Sequence, residues 1–173
     1  AGFIAQGIAR TTGKTAVCFA TTGPGPMNLL TSIADARSDS IPIIAITGQV
    51  NTSLIGTDAF QEADTFGLSF PITKHSVMVK SAKELLDVIP MCFKIATSGR
   101  PGPVLIDVPR NVQLEEVEFD SWPKIISKKL EPKFRSNKKE MAQTLNKMAD
   151  ALLEAKNPVL FVGGGSNNPE RDR

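Results

Sequence analysis

The chain has 173 residues, 41% of them hydrophobic and 22% charged, with a formal net charge of +2. That is enough apolar material for one domain and part of a second, and too little charge to direct the protein to nucleic acid or an anionic membrane. Two cysteines, Cys18 and Cys92, make neither a disulfide framework nor a metal site and read as buried core thiols suited to a reducing compartment; the longest apolar runs are far too short to span a bilayer.

In chain order, the first ten residues are helix-like but lack an initiator methionine, a cap or a signal peptide, and the chain closes on a polar, charged tail. Both ends read as cuts in a longer polypeptide. Gly13-Lys14 stops the first helix near Thr12, and a strand is expected from Thr15 to Ala20. Thr21 to Asn28, Thr-Thr-Gly-Pro-Gly-Pro-Met-Asn, then turns the chain into a helix that runs to about Arg37 with Leu29, Leu30, Ile33 and Ala34 on one face. Its two glycines permit a tight turn and a close approach to a ligand, Pro24 and Pro26 stiffen it, and Asn28 is placed to cap the helix. A strand-to-helix turn of this kind stands at the carboxyl edge of a sheet, where open α/β folds bind ligands. An ordinary Gly/Pro turn would look the same.

Ile41 to Thr47 is a nearly continuous β-branched run, as in a parallel strand buried on both faces, with Gly48-Gln49 ending it. Val50 to about Thr73 is a long irregular section, a length that marks a functional or mobile loop. His75 to Val79 reads as a short strand, and Ser81 with Glu84 as a capping box opening a helix from Leu85 to Thr97. Its stripe is Leu85, Leu86, Ile89, Cys92, Phe93 and Ala96, and Pro90 inside it predicts a kink or local rearrangement. After Arg100-Pro101-Gly102-Pro103 comes another buried strand, Val104 to Val108. Strands alternating with helices predict an α/β fold, a doubly wound and mainly parallel sheet flanked by helices.

From Val112 to Arg135 the sequence is charged and proline-punctuated, an interdomain linker that Trp122 would anchor. Asn137 with Glu140 then starts an amphipathic helix whose stripe runs from Met141 to Leu153, followed by an expected strand, Val159 to Val162, and the turn Gly163-Gly164-Gly165. This is the first αβ unit of a second α/β domain. The organisation expected is therefore a first domain over residues 1–111, a linker over 112–136 and the start of another domain over 137–173.

Single features carry little chemistry. His75 is the only histidine, without a Cys or His cluster, so a zinc site or a Ser-His-Asp triad is hard to build and a structural histidine is the simpler reading. Neither G-x-x-x-x-G-K-[ST] nor G-x-G-x-x-G occurs. Gly163 to Gly165 fits a phosphate or flavin approach and a plain tight turn equally, and Asp58, Glu62 and Asp64 are spaced like a solvated loop. Pattern alone reaches an α/β domain with a ligand loop.

Together the segments are more specific. Gly23-Pro24-Gly25 with Asn28, Thr47-Gly48-Gln49-Val50, Gly56-Thr57-Asp58-Ala59-Phe60-Gln61-Glu62, Thr73-Lys74-His75 and Ser98-Gly99-Arg100-Pro101-Gly102-Pro103 running into Asp107 resemble, in order and spacing, the thiamine diphosphate enzymes. Within them the resemblance is to the large, catalytic subunits of acetolactate synthase (acetohydroxyacid synthase). It covers Ala1 to about Asn111 closely, as the pyrimidine-binding domain, and the helix after Asn137 to Gly165 more loosely, as the start of the middle domain.

The resemblance implies an enzyme in which thiamine diphosphate acts as ylid and electron sink while the protein orients and tunes it. The family's glutamate that hydrogen-bonds the aminopyrimidine would lie about three residues before Ala1. Pro24, Gly25 and Asn28 match positions around the pyrimidine. Gln61 matches a catalytic glutamine that reaches toward the reacting carbon, and Phe60 an aromatic wall of the substrate channel. Arg100 and Gly163, Gly164 and Gly165 match contacts to FAD, which is structural in the family. Arg110 stands at the channel mouth where the family usually has lysine, and Pro26-Met27 replace its usual Ala-Thr, giving a stiffer loop with one hydroxyl fewer. The Mg²⁺ ligands would belong to a C-terminal domain, so none is expected here.

The implied reaction condenses a two-carbon unit from pyruvate with a second 2-oxo acid, pyruvate or 2-oxobutyrate, in branched-chain amino-acid biosynthesis. The implied assembly is a homodimer or homotetramer, with a regulatory small subunit in some members, in the cytoplasm or an organelle; no nucleic-acid or membrane partner is implied. The 173 residues alone would be inactive. Two alternatives stand beside this one: another thiamine diphosphate enzyme (a glyoxylate carboligase, a sulfoacetaldehyde acetyltransferase or a 2-oxo acid decarboxylase), and a non-catalytic α/β module that binds a flavin or nucleotide.

Overall fold

A computed structural model describes residues 1–123 and 138–164, and the chain divides into two compact units, 1–131 and 132–173. The first unit runs α1 (Gly2–Thr12), β1 (Ala16–Ala20), α2 (Pro24–Ser38), β2 (Ile43–Gln49), α3 (Thr65–Ser69), β3 (His75–Met78), α4 (Leu85–Thr97), β4 (Val104–Pro109) and the short α5 (Arg110–Gln113). The second contains α6 (Lys138–Glu154). The sheet is four-stranded and parallel throughout, in the order β1-β2-β4-β3. The α/β fold expected from the alternation of elements is therefore the one observed.

Alternation within the strands builds two cores. Ile43 and Ala45 of β2 pack with Ala16, Cys18 and Leu105 against Ala5, Ala9, Leu29, Ile33 and Ala36 of α1 and α2. Ile44, Val104, Ile106 and Val108 face the other way, with Cys92 and Ala96 of α4 and with Val79 and Val112. Successive side chains of a strand point to opposite faces, so a strand covered on both sides needs apolar residues at every position. Each fully buried Ile or Leu, such as Ile33, Ile44 and Leu105, contributes about 1.5–3 kcal/mol by leaving water. Both cysteines are free and buried, and burial raises both thiols, that of Cys92 to about 11.

Several element ends differ from the sequence reading. The α2 helix begins at Pro24 rather than beyond Asn28, because proline presets helical φ at a first turn where its missing N–H costs nothing. Gly23 is the N-cap, and Asn28 lies inside the helix with Nδ2 donating to the Pro24 carbonyl at 2.8 Å. The β2 strand continues through Gly48-Gln49. Ser81 makes no side-chain cap: Glu84 accepts from Lys80 N–H at 2.8 Å, while Glu115 reaches back to accept from Ala82 N–H at 2.7 Å. The α4 helix runs past Pro90 to Thr97.

Trp122 is 77% exposed, with an edge contact to Phe119. The second half of the expected linker, Lys124 to Ser136, and the Asn137 cap lie outside the described residues. So does Gly165. Residues 159–162 are irregular rather than a strand, and Phe161 is 98% exposed. A strand exists only by its ladder, and no partner strand pairs with this run among the described residues. No described helix is long and apolar enough to cross a membrane.

Candidate active site at the carboxyl edge of the sheet

Three parallel strands deliver their carboxyl ends to one place. Phe19 and Ala20 of β1, Ile46 to Gln49 of β2, and Ile106 and Val108 of β4 form the floor of a cavity of about 800 Å³, with Leu85 and Ile89 of α4. Thr21, Thr22, Asn51, Leu54, Phe60 and Gln61 rise from the connecting segments around it, and Arg110 and Gln113 from α5. An apolar floor with few polar groups at a parallel sheet's carboxyl edge is the usual layout of a cofactor cleft.

Gly23 sets the cavity's shape. It has φ 63° and ψ −108°, a backbone that side-chain-bearing residues avoid. A Cβ there would also stand 2.7 Å from the Gln61 carbonyl oxygen. The glycine lets the β1–α2 turn touch the backbone of the loop carrying Gln61. Gln61 itself lies in the left-handed region, φ 63°, and its Oε1 accepts from the Thr22 hydroxyl at 3.3 Å. That bond points the amide oxygen at Thr22 and leaves Nε2 as the donor. A non-glycine residue held at positive φ costs about 1–3 kcal/mol and marks a place where the surroundings impose the geometry.

The loop from Val50 to Asp64 is held by its own polar groups. The Glu62 carboxylate accepts from the N–H groups of Gly56, Thr57 and Ala59, the last two at 3.2 and 3.1 Å, and these bonds hold its pKa below the usual carboxylate range. Asp64 accepts from Gly67 N–H at 2.9 Å and caps α3. Glu62 and Asp64 therefore tie a solvated loop together. Their signal in sequence was only the glycine and threonine six and five residues before Glu62.

Of the residues expected at the site, Gln61, Phe60 and Arg110 line the cavity. Phe60 is 89% exposed. Pro24, Gly25 and Asn28 sit on the first turns of α2 beside it, with Gly25 packed on Ala20 and Thr21. Arg100 lies elsewhere, before β4 at the amino edge of the sheet. Its Nε donates to the Ser40 hydroxyl and its Nη2 to the Ser38 carbonyl, both at 2.7 Å, closing the end of α2. Gly163 and Gly164 belong to the second unit, where a Cβ on either would meet nothing within 4 Å.

Missed by sequence reasoning were Thr22, which aims Gln61, and Gln113, whose Nε2 donates to the Val108 carbonyl at 2.7 Å. Also missed was a buried trio beneath the cavity, Thr47, Gln49 and Asp107. Among the described residues no group of His, Cys, Asp and Glu is arranged to hold a metal ion. His75 stands apart from the cavity, beside Phe66, Phe70 and Lys74, with Nε2 buried and without a hydrogen-bond partner among the described residues.

Comparison with known proteins agrees with this geometry. The family described as thiamine pyrophosphate enzyme, N-terminal TPP binding domain, matches residues 1–68, which hold the Gly23 turn, β2 and the Gln61 loop. The large subunit of acetolactate synthase isozyme 1 from Escherichia coli K12 is 53% identical over 100% of this chain and 30% of its own length. The acetolactate synthase of Mycobacterium leprae is 48% identical over 95% of the chain and 26% of its length, and the E. coli isozyme 2 large subunit 48% over 95% and 29%. The chain spans less than a third of the length of these curated relatives.

Residues 1–68, in a unit with an all-parallel sheet and an edge cavity, thus match the N-terminal TPP binding domain of thiamine pyrophosphate enzymes. Within that class the chain is similar, over 95–100% of its length, to the large subunits of acetolactate synthase.

Proposed function

We propose that the first unit supplies the pyrimidine side of a thiamine diphosphate site in an acetolactate-forming enzyme. Residues 1–111 are then the pyrimidine-binding domain, 112–136 the linker and 137–173 the start of a middle domain. The observation that carries the reading is the contact of Gly23 with Gln61 at the rim of the edge cavity. It joins two of the segments that carry the resemblance at one point.

The cavity fits the group. Glycine at positions 23 and 48 brings backbone to its wall, where a Cβ on Gly48 would already touch Thr22 at 3.4 Å. Phe19, Ile46, Ile106 and Leu54 supply the apolar surface that excludes water. When bound, thiamine diphosphate supplies a carbanion to attack the keto carbon of a 2-oxo acid and an electron sink for its decarboxylation. Pro24, Gly25 and Asn28 hold the pyrimidine from the α2 side. Gln61 offers Nε2 to charge developing on the substrate oxygen, a neutral donor that does not compete for protons. Phe60 walls the approach, and Arg110 at its mouth attracts the substrate carboxylate.

The substrates are two 2-oxo acids, pyruvate and then pyruvate or 2-oxobutyrate, giving 2-acetolactate or 2-aceto-2-hydroxybutyrate for branched-chain amino acids. Mg²⁺ is held by the C-terminal part of the full-length protein. FAD is a structural ligand, for which the resemblance to the family suggests Arg100 in the first unit and Gly163, Gly164 and Gly165 in the second as contacts. The working unit is a homodimer or homotetramer, with a regulatory small subunit in some members of the family. The test is to give the full-length protein pyruvate and Mg²⁺, with and without thiamine diphosphate, and to quantify 2-acetolactate. Cofactor-dependent acetolactate is expected. Pyruvate consumed without it would favour a sister decarboxylase or transferase, and no dependence on the cofactor would leave a non-catalytic binding module.

A further inference from the structure

The loop bearing Phe60 and Gln61 leaves the sheet at Val50 and returns at Ala63, and one side chain holds both ends. Gln49, the last residue of β2, accepts at Oε1 from Val50 N–H at 2.9 Å, and its Nε2 donates to the Ala63 carbonyl at 2.8 Å. An amide can do both only in one orientation, because its oxygen and nitrogen are not interchangeable as hydrogen-bonding groups. Asp107 sets that orientation from the adjacent strand. Its Oδ2 accepts the second Nε2 proton at 3.1 Å, and its Oδ1 accepts from the Thr47 hydroxyl at 2.7 Å. The register of β2 on β4 places Thr47 beside Asp107, two residues before Gln49 on the same face.

The trio is buried, Thr47 and Asp107 each 1% exposed and Gln49 4%. Water therefore cannot substitute for a lost partner without opening the site. A carboxylate is costly to bury, and burial raises the pKa of this one, with the nearby Asp64 charge adding to the effect. An apolar residue would suit the surrounding core better than an acid, unless the acid does something that the core does not need.

We propose that Asp107 is a positioning residue for the proposed catalytic loop. Acting through Gln49, it clamps residues 50 and 63 and so fixes the backbone on which Gln61 is held in its left-handed conformation beside Gly23. The consequence for catalysis rests on the functional reading above; the clamp itself does not.

The experiment uses the full-length protein and reads the clamp without cofactor or substrate, by hydrogen exchange of the peptide spanning residues 51–63. Asp107→Leu keeps an apolar shape in the core but removes the acceptor. Its exchange in that peptide should rise about tenfold, while peptides from β2 and β4 keep wild-type protection. Asp107→Asn can turn its carbonyl oxygen to Gln49 and its amide to the Thr47 hydroxyl, so it should return exchange to within about threefold of wild type. Gln49→Leu should match Asp107→Leu, and the double variant should be no worse than either single. With pyruvate and thiamine diphosphate, the leucine variants should lose kcat about tenfold or more with KM nearly unchanged, because the substrate-facing residues are all present.

Wild-type exchange in the 51–63 peptide of both leucine variants, or an equal rise in β2 and β4, would overturn the clamp. Additive losses in the double variant would do the same. Should Asp107→Leu fail to fold, Gln49→Leu carries the same comparison, since it leaves Asp107 its bond from Thr47. Absence of acetolactate from the wild-type protein would sink the functional reading and leave the exchange result to decide the clamp.

Discussion

At the carboxyl edge of the sheet the polar side chains face a cavity; at the amino edge they are spent on helix ends. Thr22, Gln61, Gln113 and Arg110 stand around a space of about 800 Å³. At the opposite edge Lys74 donates from Nζ to the Ile95 carbonyl and to the Ser98 carbonyl, the latter at 2.5 Å, and Arg100 closes α2 in the same way. The difference follows from direction. In a parallel α/β unit the helix amino termini point to the carboxyl edge, with free N–H groups and partial positive charge, while the helix carboxyl ends gather at the other edge and attract cations. One edge is thus open to an anionic, hydrogen-bonding ligand, and the other consumes its lysine and arginine in holding the fold.

The sharpest way to break this contrast is at the carboxyl edge. Gly23→Ala puts a methyl group 2.7 Å from the Gln61 carbonyl and forces alanine to φ 63°. A loss of about 1–3 kcal/mol in urea unfolding is expected from the strain alone. Thiamine diphosphate-dependent turnover should fall about 100-fold or more, because the loop must move off its contact. Unchanged turnover would remove Gly23 from the site.

Second in size is the charge beneath the cavity. Burial pushes the Asp107 carboxyl up to about 6, against the hydrogen bonds from Thr47 and Gln49 that favour its ionised form, and Asp64 is the nearby charge that adds to the rise. An acid whose pKa is higher folded than unfolded binds more protons in the native state, so its contribution is most favourable below about pH 4 and is lost as pH rises through about 6. Relative to Asp107→Asn, the wild-type protein should lose up to about 3 kcal/mol of stability between those limits, measured by urea midpoints across pH. A flat difference would mean that the carboxyl titrates as it does in water. Glu62 has the opposite sign: its pKa is depressed by backbone N–H groups, so its tie on the loop is present at neutral pH and lost on acidification.

At the amino edge the expected effects are smaller and spare the chemistry. Lys74→Met keeps the buried stem but strips donors from the Ile95 and Ser98 carbonyls, and should cost about 1–2 kcal/mol in urea unfolding with kcat and KM unchanged. Arg100→Ala should cost about 0.5–1.5 kcal/mol through the end of α2. It also separates the two uses proposed for this arginine. Flavin lost in excess of the stability change supports its FAD contact, and full flavin content assigns it to the helix end alone.

Much of the fold could be read from residues. The runs Ile43 to Ile46 and Val104 to Ile106 are apolar at every position because both faces of their strands are covered. Gly13 ended α1 in the left-handed conformation that glycine favours there. Pro24 stiffens the turn by opening the first turn of α2, so the cap falls on Gly23 rather than on the expected Asn28. Ser81 and Glu84 have the spacing of a capping box, but the donor at Ala82 is met by Glu115, 33 residues later, which local pattern cannot supply. The run over residues 159–162 has strand composition, yet it makes no ladder among the described residues.

The sequence by itself determined the class of fold and the place of the ligand loop after β1, because periodicity and glycine are local properties of the chain; Gln61 and Phe60 stood out only through the resemblance to a family. Only the tertiary structure decided that Gly23 touches Gln61, that Thr22 turns its amide, that Arg100 closes α2, and that Asp107 and Gln49 pin the loop at its base. Those pairings join residues 38 to 62 positions apart. They exist because parallel strands bring distant segments into register, and a register is a property of the folded sheet rather than of any stretch of sequence.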